Sequence, residues 1–190
     1  SPCPNPPART TPTQEPPVTG ALYAYADPPY LGCGKLYAAY HPDALAWDDP
    51  ETHRALVARL VDEYPDGWAM SLHVPSLATI LPMCPPDVRV CAWVKPFALF
   101  KPNVNPGYCW EPLILSGGRA KRDRAEPTVR DYLAEPIALR KGLPGAKPLT
   151  FCLWVLDLLG YREGDQIDDL FPGTGSMGRA VTMHESRLAP

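Results

Sequence analysis

Asp168-Asp169-Leu170-Phe171-Pro172-Gly173-Thr174-Gly175-Ser176 is the stretch that decides the fold. A strand around Gln166 to Phe171 enters a glycine turn, and a helix is expected to start near Ser176. Glycines at a strand-to-helix turn let the backbone approach a bound group closely, and a carboxylate such as Asp169 at the strand end accepts hydrogen bonds from it. No GK[ST] sequence accompanies the turn, which argues against a phosphate-gripping P-loop. Taken alone, Gly173-Thr174-Gly175 is a weak signal, and its neighbours must carry the reading.

Working back from this turn, Leu149 to Leu159 places Cys152, Leu153, Leu156 and Leu159 on one helical face and is ended by Gly160. Before it, Gly117 to Lys147 loses periodicity and gains charge, glycine and proline, the pattern of an excursion rather than a second domain. Three apolar runs read as strands: Trp68 to Leu72, Val88 to Val94, and Trp110 to Ser116, the last demoted by Pro112 to an edge or irregular strand. Pro75 to Leu81 reads as a short helix between the first two. Asp49-Pro50-Glu51 supplies an N-cap, a first-turn proline and an early carboxylate for a helix with the stripe Leu56, Val57, Leu60, Val61 and Tyr64. At the far end, Leu22-Tyr23-Ala24-Tyr25-Ala26 is a buried strand that stops at Asp27-Pro28-Pro29-Tyr30. Alternating strands and helices imply a three-layer α/β sheet wrapped by helices.

Composition sets the outer limits. The 190 residues suit one folded unit from 21 to 190, preceded by a flexible proline-rich arm over 1–20 that cannot offset the entropy of ordering. A net charge of −3 excludes a protein coated in basic surface, so any nucleic-acid contact must be local. Arg119, Lys121, Arg122 and Arg124 form one such patch, readable equally as a solvated charged loop. The six cysteines lack a CxxC pair, and His41, His53, His73 and His184 lack ligand spacing, so no metal site is expected. No apolar run approaches a membrane span, the N-terminus lacks the apolar centre of a secretory signal, and the expectation is a cytoplasmic protein with reduced thiols.

Asp27-Pro28-Pro29-Tyr30 suits one chemistry. A nucleobase amine has its lone pair delocalised into the ring and must become more tetrahedral before it attacks a methyl group. The Asp27 carboxylate and the Pro28 carbonyl can accept hydrogen bonds from that amine, the prolines fix their positions, and Tyr30 can stack on the base. Tyr37, Tyr40 and Trp47 either border the same base pocket or simply pack.

The Asp-Pro-Pro-Tyr element resembles the catalytic motif of the S-adenosylmethionine-dependent amino-methyltransferases, and Asp169 to Ser176 resembles their cofactor loop. Trp93-Val94-Lys95 followed by Trp110 to Leu115 looks like the family's strand pair after the catalytic motif, and Ala146-Lys147-Pro148 like its Lys-Pro element. Having the catalytic motif first is the permuted order of the β-class DNA methyltransferases, shared by the messenger-RNA adenosine methyltransferases. The resemblance implies a Rossmann-like methyltransferase sheet in permuted order. It implies Asp27, Pro28, Pro29 and Tyr30 as catalytic residues and Lys147, Asp169, Phe171, Gly173, Gly175 and Ser176 as the S-adenosylmethionine site. Lys95 joins Arg119, Lys121, Arg122 and Arg124 as candidate nucleic-acid contacts, with a small recognition-like insert at about 101–147.

Tyr rather than Trp at position 30 favours DNA over RNA, and Asp rather than Ser at position 27 favours adenine N6 over cytosine N4. Relative to the β-class, one or two strands and the ribose-holding acidic residue are expected to be missing at one sheet edge. A homodimer, a partner subunit or a catalytically silent nucleic-acid-binding relative would accommodate that shortfall. A compact enzyme of this type with a proline-rich arm suits a phage or mobile element.

Overall fold

The computed structural model describes residues 20–96, 103–119, 127–137 and 145–188. The arm over 1–19 and the candidate contacts Lys121, Arg122 and Arg124 lie outside the described residues, as do parts of the 101–147 insert. Six strands form one sheet: β1 (Leu22–Ala26), β2 (Gly67–Ser71), β3 (Arg89–Val94), β4 (Trp110–Gly117), β5 (Tyr132–Ala134) and β6 (Gln166–Asp169). Their order is β5-β3-β4-β2-β1-β6, with β4 antiparallel to its neighbours and the other pairings parallel.

Strand alternation builds two cores. Tyr23 and Tyr25 of β1, Ala69 of β2 and Leu113 of β4 face α4 (Leu149–Leu159) and α5 (Ser176–Leu188). Ala24, Ala26, Trp68, Met70 and Ile114 face the opposite way, onto Leu56, Val57 and Leu60 of α2 (Pro50–Glu63) and Ile80 of α3 (Val74–Ile80). The result is helix, sheet, helix. α4 lies so deep that Phe151, Trp154 and Val155 are buried along with the expected face, and Gly160 closes it at φ 70° with its N–H on Asp157 and Leu156.

The second helix illustrates how local chemistry fixes an end. Asp49 caps α2 through a side-chain bond from the Glu51 N–H (2.9 Å), and Pro50 occupies the first turn. Val61, expected on the apolar stripe, is 45% exposed instead, because the burial stripe ends at Leu60 and turns to Tyr64. Between β1 and α2 the polar loop contains a short helix, α1 (Gly34–Tyr37), and a 3-10 turn (Ala44–Asp48).

Three strand expectations need correction. β4 is an interior strand between β3 and β2, not an edge. Pro112 is tolerated because it sits one residue beyond the last β2 pair, Ser71 with Leu113; its carbonyl accepts from the Leu72 N–H (3.2 Å), and no N–H can be returned. The excursion from Gly117 to Lys147 contains β5, a three-residue strand parallel to β3. Finally β6 ends at Asp169, and the chain leaves the sheet before Phe171. β6 forms one edge of the sheet, with β1 its only strand neighbour among the described residues.

Candidate active site

β1 and β6 run parallel side by side, with Tyr25 opposite Asp169, so the segments leaving them emerge at the same rim. One carries Asp27 to Tyr30 and the other Leu170 to Ser176. A cavity of about 430 Å³ lies between them, lined by Asp27, Pro28 and Pro29 on one side and Asp169, Phe171, Gly173 and Ser176 on the other. Tyr37, Tyr40 and His41 also line it, as do Gly145 to Lys147. Two motifs separated by more than a hundred residues thus share one space, at the carboxyl ends of parallel strands where open α/β sheets bind ligands.

The glycine turn has the geometry its residues permit. Gly173 and Gly175 adopt φ of 44° and 69°, in the left-handed region that side chains with a Cβ rarely occupy. Thr174 and Ser176 share a hydroxyl bond (2.9 Å), and Arg179 donates to Ser176 (3.0 Å). Phe171 is wedged against Trp47 with ring centroids 5.1 Å apart, and Trp47 also meets the His53 ring and gives its carbonyl to His53. Trp47 therefore packs against the segment that leads into the glycine turn and does not itself line the cavity.

Asp27 belongs to a buried polar cluster that sequence reading did not assemble. The Lys147 ammonium donates to the Tyr30 hydroxyl (2.6 Å), to Asp27 Oδ1 (3.1 Å) and to Glu111 Oε2 (3.4 Å), so its three protons meet three acceptors. The Tyr30 hydroxyl has Asp27 Oδ1 (3.2 Å) and Glu111 Oε2 (3.1 Å) within reach of its own proton. Lys95 binds the other oxygen, Glu111 Oε1. Two carboxylates and two ammonium groups therefore balance one another. Asp27 Oδ1 is engaged from two sides, whereas Oδ2 accepts no hydrogen bond among the described residues.

The charges respond to these contacts. Burial pushes the Asp27 carboxyl above the ordinary carboxylate range, and Lys147, shared between two acids, pulls it back only in part. Glu111 is also raised by burial but is held below the ordinary range overall, because both Lys147 and Lys95 face it. Burial disfavours the Lys147 ammonium, yet Asp27 and Glu111 together keep it firmly charged. Across the cavity, burial and then the nearby Asp27 charge lift Asp169 to about 6, against one hydrogen bond from the Phe171 N–H (3.3 Å).

Among the sequence-derived candidates, Asp27, Pro28, Pro29, Lys147, Asp169, Phe171, Gly173 and Ser176 line the cavity, and Gly175 shapes its turn without lining it. Tyr30 points away. Its ring stacks on His73 at 5.3 Å and its hydroxyl is held in the cluster, so the tyrosines that line the cavity are Tyr25, Tyr37 and Tyr40, beside Phe171. Lys95 turns to Glu111 and over the Trp93 ring at 4.7 Å.

Arg119 lies at the opposite end of the sheet, since Gly117 pairs with Gly67 at the start of β2. There it donates to both Asp165 oxygens (2.8 and 2.6 Å) and to the Gly160 carbonyl (3.0 Å), the geometry of a structural clamp. Glu111 is the residue that sequence reading missed. Its signal was a carboxylate inside an otherwise apolar strand, which must find partners when buried.

No protein-family model and no curated protein matches the chain. Among solved structures, M1.HpyAVI crystallised with SAM superposes with a TM-score of 0.55 at 16% identity, covering 86% of this chain and 78% of that one. M1.HpyAVI without the ligand gives 0.47 at 16% identity over 88% and 79%. A Thermus thermophilus protein whose name proposes a DNA modification methylase, crystallised with S-adenosyl-L-methionine, gives 0.46 at 16% identity over 90% and 80%. The chain shares the fold of M1.HpyAVI, a three-layer, Rossmann-like α/β sheet.

Proposed function

We propose that the chain transfers a methyl group from S-adenosylmethionine to the exocyclic N6 amine of adenine in DNA. One observation carries this reading: Asp27, with one oxygen held by Lys147 and Tyr30 and the other accepting nothing from the described residues, faces the same cavity as the Asp169 carboxylate and the glycine turn. At about 430 Å³ the cavity falls within the ~300–1,000 Å³ of typical small-ligand sites. Asp169 and the exposed backbone of Gly173 suit the polar ends of such a cofactor, and Phe171 offers an apolar face. S-adenosylmethionine supplies, when bound, a methyl already activated on a sulfonium.

The chain's own residues then divide the work. Asp169, Phe171, Gly173, Gly175 and Ser176 hold the cofactor; Lys147, whose protons are all engaged within the protein, acts on Asp27 rather than on a ligand. Asp27 Oδ2 accepts a hydrogen bond from the amine, draws the nitrogen toward tetrahedral geometry and takes up the proton it releases, for which a carboxylate raised by burial is well suited. Pro28 and Pro29 fix the approach. A target base in a duplex must be flipped out of the stack to reach them.

The test begins with calorimetric titration of the chain with S-adenosylmethionine and its demethylated product, where micromolar binding is expected. Methyl transfer to DNA and RNA oligonucleotides then follows, with the modified base identified by mass spectrometry. N6-methyladenine in DNA, lost in Asp27→Ala, is the expected product. Transfer to RNA or to cytosine would reassign the acceptor, and absence of cofactor binding at millimolar concentration would leave a silent nucleic-acid-binding relative.

A further inference from the structure

We propose that Glu111 is a positioning residue for the acceptor carboxylate: it draws the Lys147 ammonium and the Tyr30 hydroxyl toward β4, confining their hold on Asp27 to one oxygen and leaving the other for the amine. Glu111 touches neither the cavity nor the glycine turn. It acts through two intermediaries. Oε2 receives Lys147 (3.4 Å) and lies 3.1 Å from the Tyr30 hydroxyl, and both of those groups contact Asp27 Oδ1, at 3.1 and 3.2 Å. Oε1 is engaged by Lys95, whose side chain is 18% exposed and comes from the end of β3. The cluster is thus a chain in the order Lys95, Glu111, Lys147, Asp27, with Tyr30 bridging its last three members.

Alternating charges in such a chain are coupled in a predictable way. A lysine shared between two carboxylates gives each of them part of its field. Without the Glu111 charge, Lys147 is released wholly to Asp27; without Lys95, Glu111 competes harder for Lys147 and draws it away from Asp27. The two changes should therefore push Asp27 in opposite directions. A group that merely filled space in β4 would not do so. The other charged or titratable groups around Asp27 are Asp169 of β6, Tyr25 of β1, Tyr37 of α1 and Cys152 of α4, and neither substitution touches them.

The functional consequence rests on the methyl-transfer reading, whereas the coupling does not, and the experiment separates the two. Carboxyl-carbon NMR of the full chain labelled at aspartate, with the Asp27 resonance assigned from Asp27→Asn, follows its titration in the wild type, Glu111→Gln and Lys95→Met. The midpoint is expected to fall by about one pH unit in Glu111→Gln and to rise by a similar amount in Lys95→Met. An unmoved midpoint in both variants overturns the proposal, and Lys95→Met alone decides it if Glu111→Gln does not fold. In the methylation assay, Glu111→Gln should lower kcat by about tenfold with cofactor affinity within twofold of wild type. Loss of cofactor affinity equal to the loss of turnover would place Glu111 in the cofactor site and overturn it too. A wild type that moves no methyl group, with midpoints that shift as stated, would sink the catalytic reading and keep the coupling of Glu111 to Asp27.

Discussion

Asp169 shows how one side chain links affinity and stability. Burial and the Asp27 charge lift its carboxyl to about 6, so near pH 5 it is mostly protonated and above pH 7 mostly ionised. A neutral acid accepts hydrogen bonds from a cofactor amine poorly. Affinity for S-adenosylmethionine is therefore expected to strengthen between pH 5 and 7, and Asp169→Asn to flatten that dependence while weakening binding at pH 7 by about tenfold, the worth of one charge-assisted bond. Calorimetry across that range checks both.

The same shift works against stability. The folded form keeps its proton to higher pH than the unfolded chain, whose aspartate titrates near 3.8, so stability falls as pH rises from about 4 to about 6. Asp169→Asn should consequently melt higher than wild type at pH 7, and the advantage should vanish below pH 4. A variant less stable than wild type at pH 7 would show that the hydrogen bond to the Phe171 N–H outweighs burial.

At the scale of elements, the 3-10 turn over Ala44–Asp48 supports the site without belonging to it. Its Trp47 presses edge-on against Phe171, and such aromatic pairs are worth about 0.5–1.5 kcal/mol. If that contact holds the glycine turn in its binding geometry, Trp47→Ala should weaken S-adenosylmethionine binding by about two- to tenfold, although Trp47 lines no part of the cavity. Asp49→Ala, which removes the α2 cap next in sequence, should cost about 1 kcal/mol of stability with no change in affinity. Equal effects of the two variants on binding would mean that the whole segment, rather than the ring contact, shapes the loop.

These elements also show what sequence could reveal. Asp49-Pro50 announced α2, and the run from Leu22 to Ala26 announced β1, because capping chemistry and apolar runs are local. The 3-10 turn and β5 were invisible because neither repeats a period long enough to read, and β5 exists through its pairing with β3. Pro112 misled for a related reason: a proline forbids one ladder bond, but only the neighbouring strand's length decides whether that bond was needed. In the site, both motifs were legible as words. The Lys95, Glu111 and Lys147 relay was not, since its members come from just after β3, from β4 and from the segment before α4 and meet only through topology.

Across the whole molecule the sheet has two polar ends with opposite purposes. At the rim where β1 and β6 end, burial raises Asp27 and Asp169, which disfavours the folded state at neutral pH. At the other end Asp165 is a tie. Its carboxylate receives Arg119 and the N–H groups of Ala21 and Arg162 (2.8 Å each), joining the starts of β1 and β6 to the end of β4 and, through the Arg119 bond to Gly160, to the end of α4. Burial alone would raise Asp165, but Arg119 and the two backbone donors hold it below the ordinary range. Its contribution is thus fully present above about pH 4 and is lost as pH falls through the lowered value. Asp165→Ala leaves two backbone donors and a guanidinium without their partner, and should cost about 2–3 kcal/mol at pH 7, or about 4–12 °C in Tm.

Because this end lies a full strand length from the cavity, the same substitution should leave S-adenosylmethionine affinity unchanged. Arg119→Ala then settles whether the guanidinium also meets phosphate. A tie that serves structure alone predicts a lowered Tm with the salt dependence of DNA binding unaltered, whereas a phosphate contact would reduce the slope of log K against log salt by about one.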